Sequence, residues 1–199
     1  MNLKAFRALV FIAISFFILP NSYSQCGGLH IAVVFDGPLS GGVPKGVQVC
    51  ANANIADLSI YGLGSANNGG GSDGEEFTFP SVSASAGTYI YVSSEVPGFT
   101  TYFGFAPDYT TNVVNINGDD AIELFQDGIV IDVFGVVGED GTGEPWEYLD
   151  GWAYRNSATG PDGSAFSLGS WSFGPWATPI PVATFQPVTI SSLEASFTD

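Results

Sequence analysis

The chain has 199 residues, with 20 Asp and Glu against 4 Lys and Arg and one His, a formal net charge of −16. So few cations disfavour direct contact with a phosphate backbone, which needs Lys and Arg, and one His leaves little for a hydrolytic triad or a zinc site. The acid excess suits solubility and divalent cations in the surroundings.

The chain opens with Lys4 and Arg7, an apolar run from Ala8 to Leu19, Pro20 and a short polar stretch ending Ser22-Tyr23-Ser24. This order predicts a secretory signal over residues 1–24, cleaved before Gln25. The apolar run is too short to span a bilayer as a stable helix, so no membrane span is expected. Lipid attachment at Cys26 is the rival, and Gln25 before it is a poor fit to the small residue such attachment prefers. Without the signal the chain keeps Lys45 and Arg155 against 20 acids, a net of −18. Its 26 Gly and 12 Pro, with many Phe, Tyr, Val and Ile, suit short strands joined by tight turns.

Strands are predicted at Leu29–Phe35, Gly46–Cys50, Asp57–Leu63, Glu76–Pro80 and Gly87–Ser93. Between them, Asp36–Lys45 reads as an exposed loop and Ser65–Gly74 as a flexible one. The aromatic stretch Phe99–Tyr109 has room for one helical turn, and Asn112–Ile116 leads into the central hairpin. There, Asp127-Gly128 separates Ala121–Gln126 from Ile129–Gly135, the pattern of a two-residue type I′ turn. Such a turn sets Leu124 opposite Ile131 and puts Glu123 and Asp132 on one apolar face, where buried carboxylates need a partner. Gly138–Glu144 is an acidic loop, Asp150–Arg155 a late strand, Asp162-Gly163 a turn and Ser170–Phe173 the closing strand. From Gly174 the chain becomes rich in Pro and almost free of charge. The expected organisation is therefore a signal over 1–24, an all-β sandwich with Greek-key connections over 25–174, and a Pro-rich linker or tail over 175–199.

The order of Asp57-Leu58-Ser59 with Tyr61 and Leu63, Phe77–Pro80, Ala86–Val92, Asn117–Phe125, Gly128–Asp132 and Asp150–Arg155 resembles the lamin-tail domains of secreted bacterial proteins. The resemblance spans roughly residues 29 to 174. It implies an immunoglobulin-like β-sandwich without catalytic residues, found as an accessory module beside secreted nucleases, phosphatases and adhesion-type domains. Where that family carries an acid and a Leu-aromatic-Asn pattern, this chain has Gln48-Val49-Cys50-Ala51-Asn52. A role tied to that acid has no counterpart here.

No nucleophile elbow, phosphate loop or zinc-ligand spacing is present, and His30 sits inside an apolar strand, so no catalytic residues and no enzyme activity are expected. Arg155, on a late strand among aromatics, is expected to pair structurally with Glu123 or Asp132. Cys26 and Cys50, exported to an oxidising space, are candidates for a disulfide, with two thiols as the alternative. Asp119, Asp120, Glu139 and Asp140 offer a candidate calcium site, against the plainer reading of an ordinary Asx turn. Trp146, Trp152 and Trp171 are candidates for a sugar-stacking platform, against core packing. The reading that follows is a secreted, non-catalytic module that binds or anchors through protein or polysaccharide at the cell surface. The alternatives are a carbohydrate-binding module built on the late tryptophans and an accessory domain of a secreted nuclease or phosphatase.

Overall fold

The structure, a computed structural model, describes residues 28–176. The expected signal over 1–24, Cys26 and most of the expected tail lie outside that range. The described chain is mostly β, with two sheets and one α-helix.

The first hairpin joins β1 (Leu29–Leu39) to β2 (Val43–Ala51). Both strands run well into the expected loop Asp36–Lys45. Asp36 stands opposite Lys45 in the ladder, with Lys45 Nζ 3.6 Å from Asp36 Oδ1, and both side chains are buried. The Gly and Pro that suggested a loop mark a bulge between Asp36 and Leu39 instead. A second bulge at Ala32 sets both Ala32 and Val33 on the outer side of the strand.

Leu58–Ile60 forms a 3-10 turn capped by Asp57, and only then does β3 (Tyr61–Ala66) begin. The expected flexible loop is pinned at two points: the Asn68 N–H donates to Asp120 Oδ1 (2.7 Å) and the Gly138 N–H to Gly70 O (3.0 Å). Next come β4 (Phe77–Thr78) and β5 (Tyr89–Ser93). Helix α1 (Pro97–Phe103) starts on a Pro at its first turn, with Glu95 accepting from the Gly98 N–H (2.6 Å) and Phe99 N–H (3.1 Å), and stops at Gly104 in the left-handed region. After β6 (Tyr109–Thr110) and a 3-10 turn at Asn112–Val114 come β7 (Ala121–Gln126), β8 (Ile129–Phe134), β9 (Gly151–Arg155) and β10 (Trp171–Pro175). The ordered strand therefore passes the expected boundary at 174, and Trp176 docks beyond it on Phe35 and Phe103.

One sheet runs β10-β9-β1-β2-β5-β6 and the other β4-β3-β7-β8. A single core cluster takes Ile31, Val34, Val47 and Val49 from the first and Leu63, Ile122, Leu124 and Phe134 from the second. A smaller cluster of Val33, Phe35, Tyr91, Phe99 and Trp152 covers part of the first sheet's outer face under α1.

At the central hairpin, Asp127 and Gly128 both have positive φ, 50° and 75°, and Gln126 faces Ile129, as a type I′ turn requires. The register then departs from expectation. Phe125 faces Val130 but Leu124 faces Asp132, because a bulge leaves Ile131 as an extra residue. That residue reverses the alternation, so Asp132 shares the inner face with Leu124 while Glu123 stays on the outer one.

Candidate binding site

Alternation along β9 sends Arg155 and Ala153 inward and Trp152 and Tyr154 outward. Inward, the guanidinium reaches across the gap between the sheets. Its Nη2 lies 2.7 Å from both carboxylate oxygens of Asp132, its Nη1 donates to Asp162 Oδ2 (2.8 Å) and its Nε to Ile31 O (2.8 Å). The Trp171 ring lies 4.4 Å from the guanidinium carbon. Asp132 also accepts from the backbone N–H groups of Ile31 (2.8 Å) and Asp162 (3.0 Å). Burial pushes its carboxyl up, opposed by the Arg155 charge and by those two donors. Gly160 closes the arrangement: its φ is +67°, and a Cβ there would sit 2.2 Å from Arg155 Nη1.

Of the two expected partners, Arg155 therefore meets Asp132 and not Glu123. Glu123 lies on the far face of β7, buried, with no hydrogen-bond partner for Oε2 among the described residues. Asp162, from the turn after β9, is the partner that strand-by-strand reasoning missed. No periodic signal marks it, because it arrives through a loop.

Outward, the same sheet carries a recess of about 620 Å³. Register explains it. His30 on β1 faces Cys50 on β2, and Cys50 faces Tyr89 on β5, so three side chains stand in one row across three strands. Tyr154 on β9 forms a further wall, Ala32 part of the floor, and the segment 156–160 with Asn52 the polar rim. Among the described residues no Asp or Glu lines the recess.

The row is chemically quiet. Burial lowers the His30 imidazole to about 4, helped by the Arg155 charge and opposed by a hydrogen bond with Asn52. Burial pushes the Cys50 thiol up, opposed by a hydrogen bond with Tyr89. A nucleophilic cysteine needs a thiolate beside a cation, and both shifts run the other way. The thiol donates weakly to Ala51 O (3.9 Å). The disulfide expected between Cys26 and Cys50 rests on a residue outside the described range.

The tryptophan platform is not built by the residues expected. Trp146, Trp152 and Trp171 are 3%, 5% and 5% exposed. Trp146 and Trp171 pack edge-on against Phe134 in the main core, and Trp152 lies against Tyr154 in the outer cluster. Their rings are consumed by packing, which leaves no face for a sugar.

Of the acids expected to hold calcium, Asp119, Asp120 and Asp140 are engaged in holding loops. Asp120 accepts from the Asn68 N–H (2.7 Å) and Asn117 N–H (2.8 Å), Asp119 Oδ2 from the Thr142 hydroxyl (3.0 Å), and Asp140 from the Thr142 N–H (3.0 Å). Glu139 is exposed. Among the described residues no three His, Cys, Asp or Glu side chains gather as a metal site requires. Asp119 thus ties the acidic loop 138–144 to the turn before β7, Asp120 ties Asn68 to that turn, and Asp140 braces the loop itself.

Among the described residues no helix is long and apolar enough to cross a membrane. No family model, no curated protein and no solved structure matches the chain.

Proposed function

We propose that the chain is a secreted, non-catalytic interaction or anchoring module, an immunoglobulin-like β-sandwich of the lamin-tail type, accessory to an extracellular or cell-surface protein. Its binding site is the recess on the outer face of the six-stranded sheet. The observation that carries this reading is the row His30–Cys50–Tyr89 with Tyr154 beside it. It presents aromatic and neutral polar surface in one concavity, the usual makeup of a ligand site. It holds neither an ionised nucleophile nor a cation released for catalysis, since Arg155 is bound to Asp132 and Asp162. Support for the architecture comes from the two sheets sharing one core, and support for secretion from the pattern of residues 1–24.

Two measurements test the reading. Fluorescently labelled protein should bind the surface of the cells that make it, and a Tyr89→Ala/Tyr154→Ala variant should not. Purified protein should show no turnover on DNA, phosphate esters or polysaccharides. Turnover abolished by Cys50→Ser or His30→Gln would overturn the non-catalytic reading.

A further inference from the structure

We propose that the recess is a saccharide site, taking a neutral pyranose ring of a surface glycan against Tyr89 and Tyr154. This rests on the recess being the binding site of the module.

Charge narrows the ligand first. Outside the signal the chain carries a net of −18, two bases against 20 acids, a field that repels anions at long range. Among the described residues the recess has no carboxylate to take a cation. Arg155, which also lines the recess, turns its guanidinium inward, where two aspartates match it. A ligand suited to this place is therefore uncharged.

The lining narrows it further. Ala32 and Cys50 give an apolar floor, and the Tyr89 and Tyr154 rings stand partly exposed beside it. A pyranose has one face of C–H groups that packs on such rings and an equator of hydroxyls. The rim carries amides and hydroxyls, Asn52, Asn156, Ser157 and Thr159; Asn156 and Thr159 already donate within the chain, and their oxygens keep lone pairs that can accept from sugar hydroxyls. His30 adds a buried Nδ1 that has no hydrogen-bond partner among the described residues. With its imidazole lowered to about 4, the ring is neutral above that pH; a hydrogen bond with Asn52 engages the ring, and Nδ1 is left to donate or accept as its tautomer allows. The volume of about 620 Å³ falls in the range of small-ligand sites and has room for one or two sugar rings.

The test uses the purified chain, followed by amide chemical shifts while cellohexaose, laminarihexaose, maltohexaose and mannohexaose are added. Oligogalacturonate and oligoalginate serve as charged counterparts. At least one neutral oligosaccharide should shift resonances at residues 30, 50, 89, 154 and 156–160, and the acidic ones should not. Tyr89→Ala and Tyr154→Ala should each weaken binding about tenfold or more. Tyr154→Phe, which keeps the ring, should retain most of it, and this arm stands even where an alanine variant fails to fold. Shifts confined to another surface, preference for the acidic oligomers, or a peptide that displaces the sugar from the recess would overturn the saccharide proposal. Silence from the whole panel would overturn it too. In that case surface binding that still depends on Tyr89 and Tyr154 would keep the module reading alone.

Discussion

Arg155 and Asp132 meet in the dry space between the two sheets, with one guanidinium nitrogen 2.7 Å from each carboxylate oxygen. Their side chains are 2% and 0% exposed, so neither charge has water to fall back on. Removing one member of such a pair strands the other and costs about 3–5 kcal/mol. Arg155→Ala should therefore lower the denaturant midpoint sharply. Arg155→Lys should recover only part, because an ammonium cannot reach Asp132, Asp162 and Ile31 O together. Chemical denaturation of the two variants checks both statements. A loss under about 1 kcal/mol, typical of an exposed pair, would contradict the buried geometry.

Glu123 supplies the contrast. It sits on the other face of β7 from the residues that approach Arg155. A double-mutant cycle between Arg155→Ala and Glu123→Ala should therefore give a coupling within about 0.5 kcal/mol of zero. The same cycle with Asp132→Ala should give a coupling several times larger. Equal couplings in the two cycles would mean that Glu123 faces the guanidinium after all.

The turn of the central hairpin depends on backbone freedom at Gly128. Its φ is +75°, and a Cβ there would meet nothing within 4 Å. Any penalty on substitution is therefore conformational rather than steric contact with neighbours. Gly128→Val should destabilise by about 1–3 kcal/mol, since a β-branched residue resists positive φ. Gly128→Asn should cost clearly less, because Asn tolerates that region. Thermal melts of the two variants that superimpose would argue against the positive-φ turn.

The pH dependence of stability should carry a signature of His30. Its folded value is about 4 and its unfolded value about 6.5, so between those limits the unfolded chain binds more protons. Stability then rises with pH across that window and is lost as pH falls through it. Buried Asp36, Asp120 and Asp132, whose carboxyls are pushed up by burial, act in the opposite sense. Comparison with His30→Gln removes them, since they are common to both proteins. The wild type should lose stability relative to the variant from about pH 6.5 down to about pH 4, with parallel curves above pH 7. Parallel curves throughout would mean that His30 titrates like an exposed imidazole.

Several of these features were legible before any fold was known. The Asp127-Gly128 turn follows from local φ preferences, and the β character of the chain from the alternation and spacing of its apolar runs. That Arg155 would meet a carboxylate followed from the rarity of cations and the aromatic company of its strand. Which carboxylate it meets was not legible. One bulged residue, Ile131, turns Asp132 inward and leaves Glu123 outward, and local pattern carries no mark of a bulge. Asp36–Lys45 misled for a related reason, since its Gly and Pro serve a bulged ladder rather than an open loop.

By itself, then, the sequence determined the two-residue turn, the scarcity of cations and the strand-forming texture, because each depends on neighbours along the chain. Only the tertiary structure decided the recess. His30, Cys50, Tyr89 and Tyr154 are far apart in sequence and become neighbours only when three strands adopt one register and β9 joins their edge. It also decided the fate of Trp146, Trp152 and Trp171: an indole serves a core as readily as a ligand, and which it does depends on what the folded chain packs against it.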